Sequence, residues 1–283
     1  MIGVTGATGF IGSYLMDALG EAAFSIDLRG STNAEINALL IKNNCDTIVH
    51  LAHPASSNPS TGESEQQNGV SKLSVRLIEI LVKHEDIHII ALSSIRVYPN
   101  GLPFFTTESA VNPIDEYGRG KLEMEEFFKS SKNRVTALRC SSVQGVGKDG
   151  SPRGIIGIFV KQVHADNVLS IMGDGLATKD LLHVKDLTRL LVGLISMGPP
   201  VNDLFLPVGG GSSLTVNELA GLFSDITGCG VKTIAPAMVE LSGSVDNAGI
   251  VSYVDWEPTW SIEDMINESL NFSGDIINGV RQY

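Results

Sequence analysis

The chain has 283 residues, of which 43% are hydrophobic, and a formal net charge of −12. This length fits one large domain or two lobes, and the hydrophobic share is enough for a substantial core. The negative charge argues against nucleic acid as a partner, because phosphate binding needs clustered Lys and Arg. We predict no membrane span and no signal peptide, since Gly3, Thr5 and Gly6 interrupt the N-terminus where an apolar run would have to lie.

The cysteines predict neither a disulfide framework nor a zinc site. Cys45, Cys140 and Cys229 are odd in number, lie far apart and show no CxxC spacing. This usage fits a protein of the reducing cytoplasm. We also predict no metal site at His50 and His53, because their spacing in or just after a strand points them to opposite faces.

Short apolar runs alternate with helical patterns through the first half of the chain. The predicted strands are 1–6, 22–27, 46–52, 87–94 and 134–142, and the predicted helices between them are 10–20, 33–43, 69–84 and 116–131. Strands separated by helices imply right-handed crossovers and a parallel sheet with helices on both faces. The run 87–94 is apolar without alternation, which is typical of a strand buried on both sides.

The pattern is less regular after residue 145. Residues 144–154 are rich in glycine and charge and predict a loop. Beyond it we predict helices at 155–167, 184–196, 215–228 and 261–272, with strands at 169–173 and 202–209. The fold class is therefore α/β, with a Rossmann-like doubly wound parallel sheet.

Three glycines lie between the first predicted strand and the first helix. Gly6, Gly9 and Gly12 are spaced G-x-x-G-x-x-G. Such a turn needs residues without a side chain, and the N–H groups of the following helix suit a pyrophosphate. We therefore predict a dinucleotide cradle here, which also includes Thr8, Phe10 and Ile11. The alternative is a plain tight turn between strand and helix.

An acidic residue ends the second predicted strand. Asp27 lies 21 residues after Gly6, where an acid typically binds the adenosine ribose hydroxyls and favours NAD over NADP. Arg29 could instead meet the 2′-phosphate of NADP, and we assign Leu28 between them to the same site. Alternatively, Asp27 only opens a turn.

One predicted helix carries a tyrosine and a lysine that could move a proton. Tyr117 and Lys121 are four residues apart and share a helix face. An ammonium beside a phenol favours the phenolate and lowers its pKa, which makes Tyr117 a candidate general base. Ser94 ends a predicted strand and could hold a substrate oxygen, with Ser93 as the alternative serine. Without such context, a tyrosine and lysine at this spacing are usually a surface pair.

Seven segments form an ordered set along nearly the whole chain: GATGFIG (6–12), DTIVHLAHP (46–54), Asn68 in QQNGVSKL, LSSIRVYPN (92–100), EYGRGKLEME (116–125), IMGDGLATKDLLHVKDL (171–187) and VDWEPTWSIEDMI (254–266). They resemble the motifs of the extended short-chain dehydrogenases/reductases, in particular the NAD-dependent epimerase/dehydratase group that acts on nucleotide sugars.

The resemblance implies that two parts of the chain bind different molecules. Residues 1–145 would form the dinucleotide-binding domain. Residues 146–283 would form mainly a smaller substrate-binding lobe, interleaved with elements that return to the sheet. It further implies cofactor contacts from Leu51, Ala52, Ser93, Tyr117, Lys121, Cys140 and Val143, and substrate contacts from Ser94, Arg153, Asp174 and Lys179.

The resemblance also implies a homodimer. In the family, helices equivalent to 70–83 and 117–129 pack into a four-helix interface. The alternative is that their apolar stripes pack within one chain. For His183, Trp256 and Trp260 we expect structural packing roles.

Several positions depart from the family pattern. The family's 4,6-dehydratases carry Asp-Glu where this chain has Ile95 and Arg96, which counts against a dehydratase. Gln144 replaces a tyrosine, and Lys179 replaces an arginine and loses its bidentate fork. The segment from Asp27 to Asp46 is short, so we expect the family's third strand to be reduced or missing. This leaves the choice between NAD and NADP open.

The expected function is an NAD(P)-dependent epimerase that acts at C4 of a nucleotide-activated sugar. Tyr117 would act as base and then as acid, with Ser94 as the oxygen anchor. The same residues would serve a nucleotide-4-keto-sugar reductase, which is the alternative. A third possibility is a non-catalytic protein that senses a dinucleotide.

Overall fold

The computed structural model describes residues 1–52, 72–234 and 241–277, with side chains up to residue 272. Its strands are β1 Ile2–Thr5, β2 Ala23–Ile26, β3 Thr47–His50, β4 His88–Ser94, β5 Phe104–Phe105, β6 Val135–Cys140, β7 Ser142–Val146, β8 Pro152–Arg153, β9 Val168–Met172, β10 Thr178–His183, β11 Leu204–Val208, β12 Ser213–Thr215, β13 Gly230–Ile234 and β14 Ser244–Val245. Its helices are α1 Phe10–Leu19, α2 Asn33–Lys42, α3 Lys72–Leu81, α4 Glu116–Lys129, α5 Gly154–Asp166, α6 Val184–Met197, α7 Val216–Thr227, α8 Ala248–Tyr253 and α9 Ile262–Ile277. Short 3-10 helices span Gly20–Ala22 and Ile95–Val97.

A six-stranded parallel sheet forms the centre of the molecule, in the order β2–β1–β3–β4–β6–β11. This is the predicted doubly wound α/β sheet. The chain leaves β1 toward β2 and then returns to β3 on the other side. The carboxyl ends of β1 and β3 therefore border the switch point, where ligands bind in such sheets.

Two features of the connections between strands bear on the site. Only α2 lies between β2 and β3, in agreement with the expectation that the family's third strand is reduced or missing. Late in the chain, β11 comes back to the sheet and pairs with β6. Each edge of the sheet is thus a short strand, β2 with four residues and β11 with five.

Helices cover both faces of the sheet. On one face, Leu15 of α1 and Leu187 of α6 pack with Val4, Ile90 and Leu138 of the strands. The other face carries α2, α3 and α4, whose buried core residues include Leu40, Leu77 and Phe128. Strands β1, β3 and β6 are buried at every position, as strands with both faces covered should be.

The C-terminal half adds a four-stranded sheet, β12–β10–β7–β8, and the strand pairs β13–β9 and β14–β5. A separate core cluster lies beneath it, in which Phe159 and Phe223 meet edge to face. The prediction of a loop at 144–154 was wrong in part, because this segment contains the end of β7 and all of β8.

Within the described ranges, no helix is both long enough and apolar enough to cross a bilayer.

Candidate active site

The turn after β1 leaves no space for a side chain at Gly6 or Gly12. Gly6 has a φ of +68°, and a Cβ on Gly12 would lie 2.1 Å from the Gly6 carbonyl oxygen. Gly9 precedes α1 without a side-chain cap on the helix. Because the first N–H groups of a helix lack partners within it, they can bind an anion. The predicted cradle therefore fits a dinucleotide pyrophosphate in shape and in hydrogen-bonding character.

The other predicted loop residues flank this turn. Thr8 is exposed within it, and Phe10 and Ile11 begin α1. The Ile11 side chain is half-buried and packs against the core. Their roles in cofactor binding remain predictions.

A buried chain of hydrogen bonds supports the cradle from below. Thr5 Oγ1 lies 2.9 Å from His50 Nδ1 and accepts the Ala52 N–H at 3.2 Å. His50 Nε2 lies 3.0 Å from Ser74 Oγ of α3. The Leu51 N–H donates to the Thr5 carbonyl. These bonds hold Leu51 and Ala52 against the glycine turn, a role of Thr5 and Ser74 that the sequence analysis missed. His53 and Asn68 lie outside the described residues.

Asp27 lies exposed at the end of β2. Its Oδ1 accepts the N–H groups of Arg29 at 2.9 Å and Gly30 at 3.0 Å. These bonds, from Gly30 first and then Arg29, hold the pKa of Asp27 below its usual value, with smaller help from nearby arginine charges. Asp27 therefore does open a turn, as the alternative interpretation of the sequence had it. A carboxylate has further acceptor sites, so ribose binding stays compatible with it.

The loop after Asp27 is braced by a residue that the sequence analysis did not single out. Arg76 of α3 donates to the carbonyls of Leu28 and Ser31, and its Nε donates to Asn33 Oδ1 at 2.8 Å. The Leu28 side chain is buried in the core. A cofactor contact from Leu28 would therefore come from its backbone.

Tyr117 and Ser94 are brought together by close packing of α4. The carboxylate of Asp115 caps α4 by accepting the Gly118 N–H at 2.8 Å. A Cβ on Gly118 would lie 2.1 Å from the Arg96 carbonyl oxygen, so only glycine permits this approach. The Tyr117 phenol consequently lies close enough to Ser94 for a hydrogen bond from Ser94 to oppose the rise in its pKa that burial causes. The predicted pair thus meets at the carboxyl end of β4.

Lys121 is close to Tyr117 but has a partner of its own. Its Nζ donates to the Leu92 carbonyl at 2.8 Å and lies 5.8 Å from the centre of the Tyr117 ring. Burial lowers the pKa of Lys121 to about 8. Burial also raises the pKa of Tyr117, and it is opposed by the Arg96 charge and then by the Ser94 hydrogen bond. The Arg96 charge is thus the largest of the effects that oppose the raised pKa of Tyr117, and tuning by Lys121 remains a prediction.

Ser93 points into a buried polar network. Its hydroxyl donates to Glu125, which forms an ion pair with Arg139 at 2.8 Å. Arg139 also donates to the Tyr98 hydroxyl at 3.1 Å. Because the Ser93 hydroxyl is used in this network, Ser94 is the better placed of the two serines to hold a substrate oxygen.

The end of β6 contributes a neutral thiol beside Lys121. Cys140 is buried, which raises the pKa of its thiol to about 12, with Lys121 opposing. Val143 follows in β7, half-buried against the core. Gln144, at the family's tyrosine position, accepts the Ile156 N–H at 3.1 Å. It therefore binds the first turn of α5.

The predicted substrate residues other than Ser94 lie in three places. Arg153 precedes α5 and pairs with Asp149 at 2.6 Å. Asp174 accepts the Leu176 N–H in the turn between β9 and β10, and Lys179 of β10 donates to the Leu241 carbonyl. Their contact with a substrate remains a prediction.

The residues for which we expected structural roles have them. His183 Nε2 lies 2.8 Å from Glu268 Oε2, and its ring stacks on Trp260 with centroids 3.8 Å apart. Trp256 is buried and donates to the Asp186 carbonyl at 2.9 Å.

Comparison with known proteins identifies the family. Over 282 aligned residues the chain is 24% identical to dTDP-L-rhamnose 4-epimerase of Burkholderia thailandensis, covering 82% of this chain and 76% of that protein. It is 25% identical to UDP-glucose 4-epimerase of Mycolicibacterium smegmatis, covering 95% and 97%. The solved structure of MoeE5 in complex with UDP-glucuronic acid and NAD shares the fold, with a TM-score of 0.81, 22% identity and coverage of 97% and 99%. Residues 2–203 match the profile of the NAD dependent epimerase/dehydratase family, and the chain belongs to that family.

Proposed function

We propose that this protein is an NAD-dependent epimerase that acts at C4 of a nucleotide-activated sugar. The observation that carries the proposal is that Tyr117 and Ser94 meet at the carboxyl edge of the sheet that also presents the glycine turn. The curated relatives include 4-epimerases of UDP-glucose and dTDP-L-rhamnose. Ile95 and Arg96 offer no acid–base pair for a 4,6-dehydratase.

Each part of the site has a task in this proposal. The glycine turn and the start of α1 would hold the pyrophosphate of NAD, and Asp27 would accept the adenosine ribose hydroxyls. NAD, when bound, supplies uptake and return of a hydride. Ser94 would hold the sugar oxygen, and Tyr117 would take the proton from that oxygen and later return it. Since burial keeps the Cys140 thiol protonated, it would not compete as a base.

We further propose that the two parts of the chain divide binding between them. Residues 1–145 would hold the cofactor, with Leu51, Ala52, Cys140 and Val143 beside the nicotinamide end. Residues 146–283 would mainly bind substrate, with Arg153, Asp174 and Lys179 toward its nucleotide. The return of β11 to the central sheet supports an interleaved boundary between the parts.

The first test is to purify the protein without added nucleotide, denature it and identify the released nucleotide by mass. We expect near-stoichiometric NAD, because an epimerase regenerates its cofactor in every turnover. We also expect interconversion of C4 epimers of UDP- or dTDP-sugars in D₂O without deuterium at C4. A protein that is empty and binds NADPH weakly would favour the 4-keto-sugar reductase. A protein that binds no dinucleotide would contradict the proposal.

We propose that the protein is a homodimer that pairs through the outer face of α4. This face carries a groove of about 500 Å³ lined by Pro113, Arg119, Leu122, Glu123, Glu126, Phe127 and Ser130. Two copies related by a twofold axis could place Arg119 of one opposite the acidic residues of the other. Light scattering should give about twice 30.1 kDa, and Phe127→Asp should give the monomer. Val201→Asp, at a position that is 86% exposed and does not line the groove, should stay dimeric.

We propose a cytoplasmic location. Cys45, Cys140 and Cys229 are free thiols, and burial raises the pKa of Cys45 to about 11. Unpaired thiols suit a reducing compartment. Cell fractionation tests this location, and recovery in a secreted fraction would contradict it.

A further inference from the structure

We propose that Arg96 is a second cation acting on Tyr117, and that Asp115 limits the strength of its effect. Arg96 would be a positioning residue, since it acts through Tyr117 rather than on the substrate. This inference rests on the proposed function, in which Tyr117 carries the proton.

The geometry places two cations beside one phenol ring. The guanidinium carbon of Arg96 lies 5.6 Å from the centre of the Tyr117 ring, and Lys121 Nζ lies 5.8 Å from it. Arg96 follows Ser94 by two residues, and its N–H donates to Ser94 Oγ at 3.2 Å. Arg96 is thus joined by its backbone to one proton-handling residue and by its charge to the other.

The position of Arg96 is well defined on both its backbone and its side chain. Its backbone carbonyl packs against Gly118, where a Cβ would come within 2.1 Å. Its Nε donates to Asp115 Oδ2 at 2.8 Å. Asp115 also caps α4, so it links the segment after β4 to the start of α4.

The two cations differ in how their charge depends on pH. Burial lowers the pKa of Lys121 to about 8, so the Lys121 charge declines as the pH rises above neutrality. A guanidinium stays protonated throughout the working range of a protein. Arg96 would therefore supply a constant positive charge near Tyr117.

Among the residues that the structure describes, the groups facing the phenol include five from four elements and a helix cap. They are Ser94 of β4, Arg96 of the short 3-10 helix, Lys121 of α4, Cys140 of β6 and Asp115 before α4. The positive charge of Arg96 opposes the raised pKa of Tyr117, whereas Asp115 adds to it. Since the Arg96 side chain is 48% exposed, solvent screens part of its charge. The negative charge of Asp115 therefore partly cancels the effect of the Arg96 charge on Tyr117.

The direct test is an ultraviolet titration of Tyr117 that needs no substrate. The signal of Tyr117 is the difference between each protein and the same protein with Tyr117→Phe. We expect Arg96→Gln to move the midpoint to higher pH and Arg96→Lys to restore it. Asp115→Asn should move it to lower pH, because the amide oxygen keeps the α4 cap while the negative charge is lost. An unmoved midpoint in Arg96→Gln, with an unchanged circular-dichroism melt, would overturn the inference.

Turnover supplies a second readout if the proposed function holds. The attraction between the Arg96 charge and a Tyr117 phenolate should lie between its values at the dielectric constants of a protein surface and of bulk water. Losing this attraction should lower kcat of Arg96→Gln at neutral pH about tenfold. KM should not change, and kcat should recover at high pH. A loss that is equal at all pH values would indicate a purely structural role and overturn the inference. If the wild-type protein shows no turnover, the proposed function fails, while the titration still decides the role of Arg96.

Discussion

Tyr117→Phe is expected to lower turnover by about a thousandfold, within the range that a positioned acid–base group contributes. The substitution removes one hydroxyl and leaves the ring beside Arg96 and Lys121. NAD binding should therefore persist. Activity is measured as interconversion of C4 epimers, and bound NAD by mass after denaturation.

The matched control for this prediction is Tyr253→Phe. Tyr253 ends α8 and is half-buried against the core. Helix α8 contacts β11, at the edge of the sheet opposite to β2 and β1. Loss of the Tyr253 hydroxyl should leave turnover near the wild-type value. If Tyr117→Phe retained more than a tenth of the activity, another group would have to carry the proton. If it lost NAD as well, the role of Tyr117 in binding would outweigh its role in chemistry.

Glu125→Ala should lower the free energy of unfolding by about 3 to 5 kcal/mol. Glu125 is 1% exposed and its partner Arg139 is 7% exposed. Removing the carboxylate leaves a buried guanidinium without its counter-charge and takes the acceptor from Ser93. Chemical denaturation monitored by fluorescence, with equal slopes for both proteins, measures the loss.

An exposed ion pair provides the comparison for Glu125. Lys132 and Glu85 are 2.6 Å apart, with side chains 74% and 47% exposed. Glu85→Ala should therefore change stability by less than about 1 kcal/mol. If Glu125→Ala were as mild as Glu85→Ala, the buried network would not be a main support of the site. Glu125→Gln keeps an acceptor and should fall between the two.

The alternation of strands and helices was enough to predict the central sheet, because each strand there contains apolar residues next to one another or close by in sequence. Strand β10 was missed for a physical reason. It carries Asp180 and His183, which break the apolar pattern, yet both are buried. The N–H groups of Gly210 and Val245 bind Asp180, and Glu268 binds His183. Such partners lie far away in sequence, so no local pattern reveals them.

The sequence contains a pattern that could have distinguished Ser93 from Ser94. Tyr117, Lys121 and Glu125 follow one another at intervals of four on α4 and so share one face. Arg139 interrupts an otherwise apolar strand and calls for a buried acid. Together these residues indicate an ion pair behind the site that could occupy one serine. The contact of Arg96 with Tyr117 could not be predicted, since it depends on the short 3-10 helix and on the close approach at Gly118.

The short edge strands of the central sheet bear on how copies of the protein behave at high concentration. An open sheet can recruit a strand from another molecule at its edges, which leads to aggregation. Here β2 offers only four residues. At the other edge, β11 contains Pro207, which has no N–H to donate to an incoming strand. Both edges are therefore poor templates for strand addition.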